Sequence, residues 1–82
     1  MQENTTIFDE KTLKTANIGL TIKAVRDSLD SNGYDAESQI VGYLLSGDPG
    51  YITSKNGARE SIVELDRAEI LELLVDSYLE KE

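Results

Sequence analysis

Cysteine, histidine and tryptophan are missing from this chain of 82 residues, and proline occurs once. Without cysteine there is no disulfide staple, and without cysteine or histidine the usual zinc ligands are gone. The same absences remove the common general base near neutral pH and the thiol nucleophile, so enzymatic chemistry is not expected. A serine or threonine activated by lysine would be the remaining route. However, Lys11, Lys14, Lys23 and Lys55 fall in a tail, on a charged helix face or in a loop. No cofactor or metal is expected.

Positive charge is also scarce, with 8 Lys and Arg against 16 Asp and Glu, for a formal net charge of -8 at pH 7. That balance opposes binding to nucleic acid or an anionic membrane surface, both of which call for a basic patch. No apolar run approaches the length of a membrane span, and MQENTTIFDE has neither the positive nor the apolar region of a signal peptide. The expected location is the cytoplasm. A chain this short buries a small core, and with no staple or metal, self-association is the remaining common means of stabilisation. A homodimer is expected.

Residues 1–17 are polar and threonine-rich, with Ile7, Phe8 and Leu13 the sizeable apolar side chains after Met1, and read as a mobile arm. Residues 18–82 form one helical domain. Ile18, Ile22, Val25 and Leu29 recur at helical spacing, predicting a helix over 18–31 that ends at Asn32-Gly33. A second helix is predicted over 36–46, with Asp35 as N-cap and Glu37 in its first turn. Its Ile40, Val41, Tyr43, Leu44 and Leu45 leave it apolar around most of its circumference, as suits a buried central helix. Gly47 is placed to close it in the left-handed conformation, and Asp48-Pro49-Gly50-Tyr51 fits a turn with Gly50 at positive φ.

A short third helix starting near Asn56 or Gly57 carries Ala58, Ile62 and Leu65. Asp66-Arg67-Ala68-Glu69 resembles a capping box and predicts a new start at Asp66. The last helix has an apolar stripe of Ile70, Leu71, Leu73, Leu74, Val75, Tyr78 and Leu79, broad enough to meet two neighbours, one of them a second subunit. On this reading Leu74→Asp lowers both helicity and dimer content. The fold class is all-α, a compact bundle of about four short helices with a helix-turn-helix-like C-terminal half.

Three other constellations lead nowhere catalytic. Glu60 with Glu64, and Glu69 with Asp76, are carboxylates at helical-surface spacing. Residues 28–33 place Asp30, Asn32 and Gly33 in an EF-hand frame, but Ser28 and Gln39 stand where its first Asp and final Glu belong. The helix-turn-helix likeness does not extend to DNA, because the segment from Asp66 is strongly acidic. Arg59 and Arg67 remain, either in exposed ion pairs with Glu60, Glu64 or Glu69, or as donors for a partner or a phosphate.

The segment 39–52, QIVGYLLSGDPGYI, carries a resemblance. With Asn32, Gly33 and Tyr34 before it, and Asn56, Ala58, Arg59, Ile62, Arg67, Glu69, Ile70, Leu74, Val75, Tyr78 and Leu79 after it, the chain resembles the IreB/ReoM family of small regulatory phosphoproteins of Gram-positive bacteria. The resemblance implies an all-helical homodimer phosphorylated near its N-terminus by a transmembrane serine/threonine kinase with cell-wall-sensing modules. The family's acceptor threonine precedes an aromatic residue by three positions, which Thr5 and Phe8 match, with Thr6 the adjacent alternative. It further implies control of peptidoglycan synthesis and cephalosporin tolerance, in some members through Clp-protease turnover of an early cell-wall enzyme, with phosphorylation relieving that action. Thr53 and Ser54 stand where the family usually has Pro-Arg, Ala36 where it has Pro, and Val63 where a basic residue is common. Arg59 and Arg67 are retained for partner binding. The competing expectation is a constitutive helical adaptor or antitoxin-like module whose tail is never phosphorylated.

Overall fold

The computed structural model describes residues 10–80, and all of its regular structure there is helical: α1 (Glu10–Ser31), α2 (Ala36–Ser46), α3 (Ala58–Val63) and α4 (Arg67–Leu79), with 3-10 turns at Pro49–Tyr51 and Lys55–Gly57. The all-α bundle expected from the sequence is what forms. Helix α1 is the hub, packing against α2, α3 and α4. Ile18, Val25 and Leu29 are its buried side chains, and Ile22 packs beside them. They meet Tyr43 and Leu44 of α2, Ala58 and Ile62 of α3, Ile70 of α4 and Ile52 from the connecting loop in one core.

Helix α1 begins eight residues earlier than the apolar spacing indicates, at Glu10 instead of Ile18. Residues 10–17 contain good helix formers and neither Gly nor Pro, and extending an existing helix needs no new nucleus. Their side chains are all exposed, so no apolar periodicity marks them. The far end of α1 closes as expected. The Tyr34 amide donates to the Leu29 carbonyl (3.0 Å) and the Gly33 amide to that of Asp30 (3.1 Å), a Schellman closure with Tyr34 packed on the core. Asn32, the fifth position of the EF-hand-like frame, gives its side-chain amide to the Ser28 carbonyl (2.8 Å) and to Asn56 Oδ1 (2.7 Å). This ties the end of α1 to the turn before α3.

Helix α2 has the predicted bounds. The Asp35 carboxylate accepts from the Ser38 amide and hydroxyl at 3.2 and 3.0 Å, and Gly47 closes the other end at φ 77. The turn that follows differs from the expected one. Positive φ among glycines is confined to Gly33, Gly47 and Gly57, and Gly50 instead lies inside a 3-10 turn, donating its amide to Asp48 Oδ1 at 2.9 Å. Left-handed backbone has already been used at Gly47, and Asp48 then acts as the cap of a turn that Pro49 opens.

The burial expected for α2 is also corrected. Tyr43 and Leu44 are buried, but Leu45 is 82% exposed and Val41 48%. Among the described residues, α1 and the loop cover one side of α2 and nothing covers the other. The same holds for α4. Ile70 is buried and Leu73 packs on the core, whereas Leu71, Leu74, Val75, Tyr78 and Leu79 remain exposed.

Candidate functional site

Arg59 sits in the first turn of α3 and Arg67 opens α4, each just after a helix start. Asp66 fixes the second start, its Oδ1 accepting the Ala68 and Glu69 amides at 2.8 and 3.4 Å. Neither arginine is paired with a carboxylate among the described residues. Arg59 Nε donates to the Ile52 carbonyl and Arg67 Nη1 to the Leu44 carbonyl, both at 2.9 Å. The ion pairs to Glu60, Glu64 or Glu69 that sequence spacing allowed therefore do not form. A helix end presents unpaired carbonyls and a partial negative charge, which a guanidinium satisfies better than a solvated surface carboxylate does.

The Arg67 contact explains the close approach at Gly47. A Cβ there would lie 2.8 Å from the Arg67 guanidinium, in addition to the cost of left-handed backbone for any L residue. Helix α2 thus ends on three matched carbonyl acceptors: the Gly47 amide takes Tyr43 O, Arg67 takes Leu44 O, and the Ser46 hydroxyl takes Gly42 O. We expect Arg67→Ala to lower stability by about 1 kcal/mol, because a charge-assisted bond to a helix-end carbonyl is lost at a partly exposed position. Urea unfolding measures it, and an unchanged midpoint would contradict the capping role.

Each guanidinium is held by one N–H, leaving the others of its planar fork for a carboxylate or phosphate. Thr5 and Thr6, the sequence-predicted phosphoacceptors, lie outside the described residues.

Two features went unanticipated. Ile22, Ile40, Val41, Leu44, Leu73 and Leu74 line a groove of about 530 Å³ between α1, α2 and α4, edged by Lys23 and Arg26. Its sequence signal was the breadth of the apolar faces of α2 and α4, which the other described elements leave partly uncovered. The second is an ion pair between α1 and α4, Lys14 Nζ to Glu69 Oε2 at 3.0 Å. The hydrogen bond to Glu69, and then its charge, raise the Lys14 ammonium above its usual 10.5. A raised lysine keeps its charge at neutral pH, so the lysine's contribution is present there and is lost as pH climbs past that value. No local pattern in the sequence links residues this far apart.

Against this geometry, the model of the family described as IreB regulatory phosphoprotein matches residues 3–80. The chain belongs to the IreB family. Its role is that of a regulatory phosphoprotein, and the match spans Thr5, Thr6, Arg59 and Arg67 along with the whole described bundle. A regulatory phosphoprotein of this family implies protein partners. Among the described residues no helix is long and apolar enough to cross a membrane.

Proposed function

We propose that this IreB-family protein is a non-enzymatic, cytoplasmic switch, phosphorylated on Thr5 or the neighbouring Thr6 by a transmembrane serine/threonine kinase. The family match over residues 3–80 is the observation that carries the reading. In the unphosphorylated state it acts through protein contacts to regulate peptidoglycan synthesis and cephalosporin tolerance, with Clp-protease machinery as the downstream partner that the family resemblance implies. Arg59 and Arg67 serve the partner contact. Their support is geometric: each is pinned to a backbone carbonyl, so its remaining donors are oriented before a partner arrives.

The working form is a homodimer. Its support is the apolar groove together with the exposed stripe of α4, which would place a large apolar patch in water if the chain stayed alone. Phosphorylation at Thr5 or Thr6 adds a charge of about -1.5 to -2 ahead of α1, where it changes what that end of the chain repels or attracts.

The test is phosphate incorporation by the kinase's catalytic domain into the wild-type chain and into a Thr5→Ala, Thr6→Ala double variant, with melting curves before and after. We expect the double variant to take up no phosphate and the wild type to melt at nearly the same temperature in both states. Normal phosphorylation of the double variant would remove the arm as the regulatory site. Collapse of the fold on phosphorylation would defeat the mechanism even with the threonine correct.

A further inference from the structure

Asparagine followed by glycine occurs twice, at Asn32-Gly33 and Asn56-Gly57, and the fold brings the two pairs together. The Asn32 side-chain amide donates to Asn56 Oδ1 at 2.7 Å, and the Ser28 hydroxyl donates to the neighbouring Lys55 carbonyl at 3.3 Å. Both asparagines are exposed to water. In such a pair the asparagine amide is open to attack by the next backbone nitrogen, because glycine has no side chain to hinder the approach.

The two pairs differ in what holds their backbone. Around Asn32 three successive amides are tied down in the closure of α1, those of Asn32 and Tyr34 to the Leu29 carbonyl at 3.2 and 3.0 Å and that of Gly33 to Asp30 at 3.1 Å. Rotation there would also draw Tyr34 off the core. Around Asn56 the Gly57 amide makes one bond, 3.2 Å to the Ser54 carbonyl, within a short 3-10 turn whose residues 54–56 are exposed. Among the described residues Asn56 is also the sole non-glycine at positive φ, at 55, a conformation that L residues adopt at a cost. This turn is the weaker of the two.

We propose that Asn56-Gly57 is a site of spontaneous covalent modification, deamidation through a cyclic imide, and that the Asn32 amide restrains it. Once the Gly57 amide leaves Ser54, solvent base can take its proton. The nitrogen then attacks Asn56 Cγ, a C–N bond forms, and Nδ2 departs as ammonia. Water adds to either carbonyl carbon of the ring and opens it, giving aspartate or the isoaspartate whose chain runs through the former side chain. Water is the sole co-reactant. For the ring to close, Cγ has to swing onto the Gly57 nitrogen, and the 2.7 Å bond from Asn32 to Oδ1 opposes that swing. The product carries a new negative charge three residues ahead of Arg59, in the turn that leads into α3.

The experiment incubates the full, folded wild-type chain in mildly alkaline buffer and samples it over days. A lysine-specific protease then separates the asparagines, Asn32 into the peptide 24–55 and Asn56 into 56–81, where it is the sole side-chain amide. The mass gain of amide-to-acid conversion, located by fragmentation, and enzymatic methylation of isoaspartate are read on each peptide. We expect acid to form at Asn56 several-fold faster than at Asn32, and the two rates to converge in urea, where the fold no longer separates them. Asn32→Ala, which removes the donor, should speed conversion at Asn56 by about two- to tenfold, the span of one hydrogen bond. Asn32→Asp, which puts an acceptor in place of the donor, should do the same, each variant being checked for an unchanged helical spectrum.

Faster conversion at Asn32 in the folded chain, or conversion at neither asparagine, would overturn the site. Unchanged or slower conversion at Asn56 in the two folded variants would overturn the restraint by Asn32 while leaving the site in place.

Discussion

Leu74→Asp is expected to halve the mass seen by light scattering at micromolar concentration, from about twice the 9.1 kDa chain to a single chain, while far-UV circular dichroism changes little. Leu74 bounds the apolar groove on one side and begins the exposed arc of α4 on the other. A carboxylate there would lose hydration on assembly with no cation assured to it. At roughly 2–3 kcal/mol per copy, and two copies in a symmetric dimer, the dissociation constant should rise by about a thousandfold or more. The loss of helicity expected from the sequence is revised downward, because Leu74 is 40% exposed and α4 is anchored by Ile70 and Leu73. A variant that stays dimeric would move the interface elsewhere. A wild-type chain that is a folded monomer at that concentration would remove the dimer altogether.

The largest loss of stability is expected at Ile62. Helix α3 has six residues, too few to persist unaided, and Ile62, fully buried, holds it in the core with Ala58. Truncation to alanine removes the contacts of three carbons and leaves a void that neighbouring side chains fill only in part. The cost should be about 3 kcal/mol, a large share of the stability of a domain this size. For a chain of this length that corresponds to a fall in melting temperature of roughly 12–24 °C. Val63→Ala, one position along on the exposed side, should cost under about 0.5 kcal/mol and serves as the comparison. Equal effects at the two positions would contradict the assigned burial of α3.

Elements whose cause is local were legible in the sequence. Asp35 and Asp66 start helices because a short carboxylate can reach the amides of the first turn, and Gly47 ends one because the left-handed conformation costs it nothing. The apolar spacing from Ile18 to Leu29 reported a buried face and located it correctly. It could not report residues 10–17, since a helix exposed on all sides leaves no apolar period to read. Breadth of apolarity misled at α2, where a helix apolar all round implies burial only if something in the same chain exists to cover it. The arginines were picked out by type and position. That they bind the carbonyls of Ile52 and Leu44 depends on how the loop folds back, as does the meeting of Lys14 with Glu69. These are tertiary contacts, and no local pattern encodes them.

The proposed switch rests on phosphate carried at Thr5 or Thr6. The intact mass of the chain purified from its native bacterium, measured with and without phosphatase treatment and followed by peptide mapping, tests it most directly. We expect a population heavier by one phosphate, removed by phosphatase and mapping to Thr5 or Thr6. A single unmodified mass under growth and under cell-wall stress, with or without phosphatase, would contradict it and leave a constitutive helical adaptor in its place.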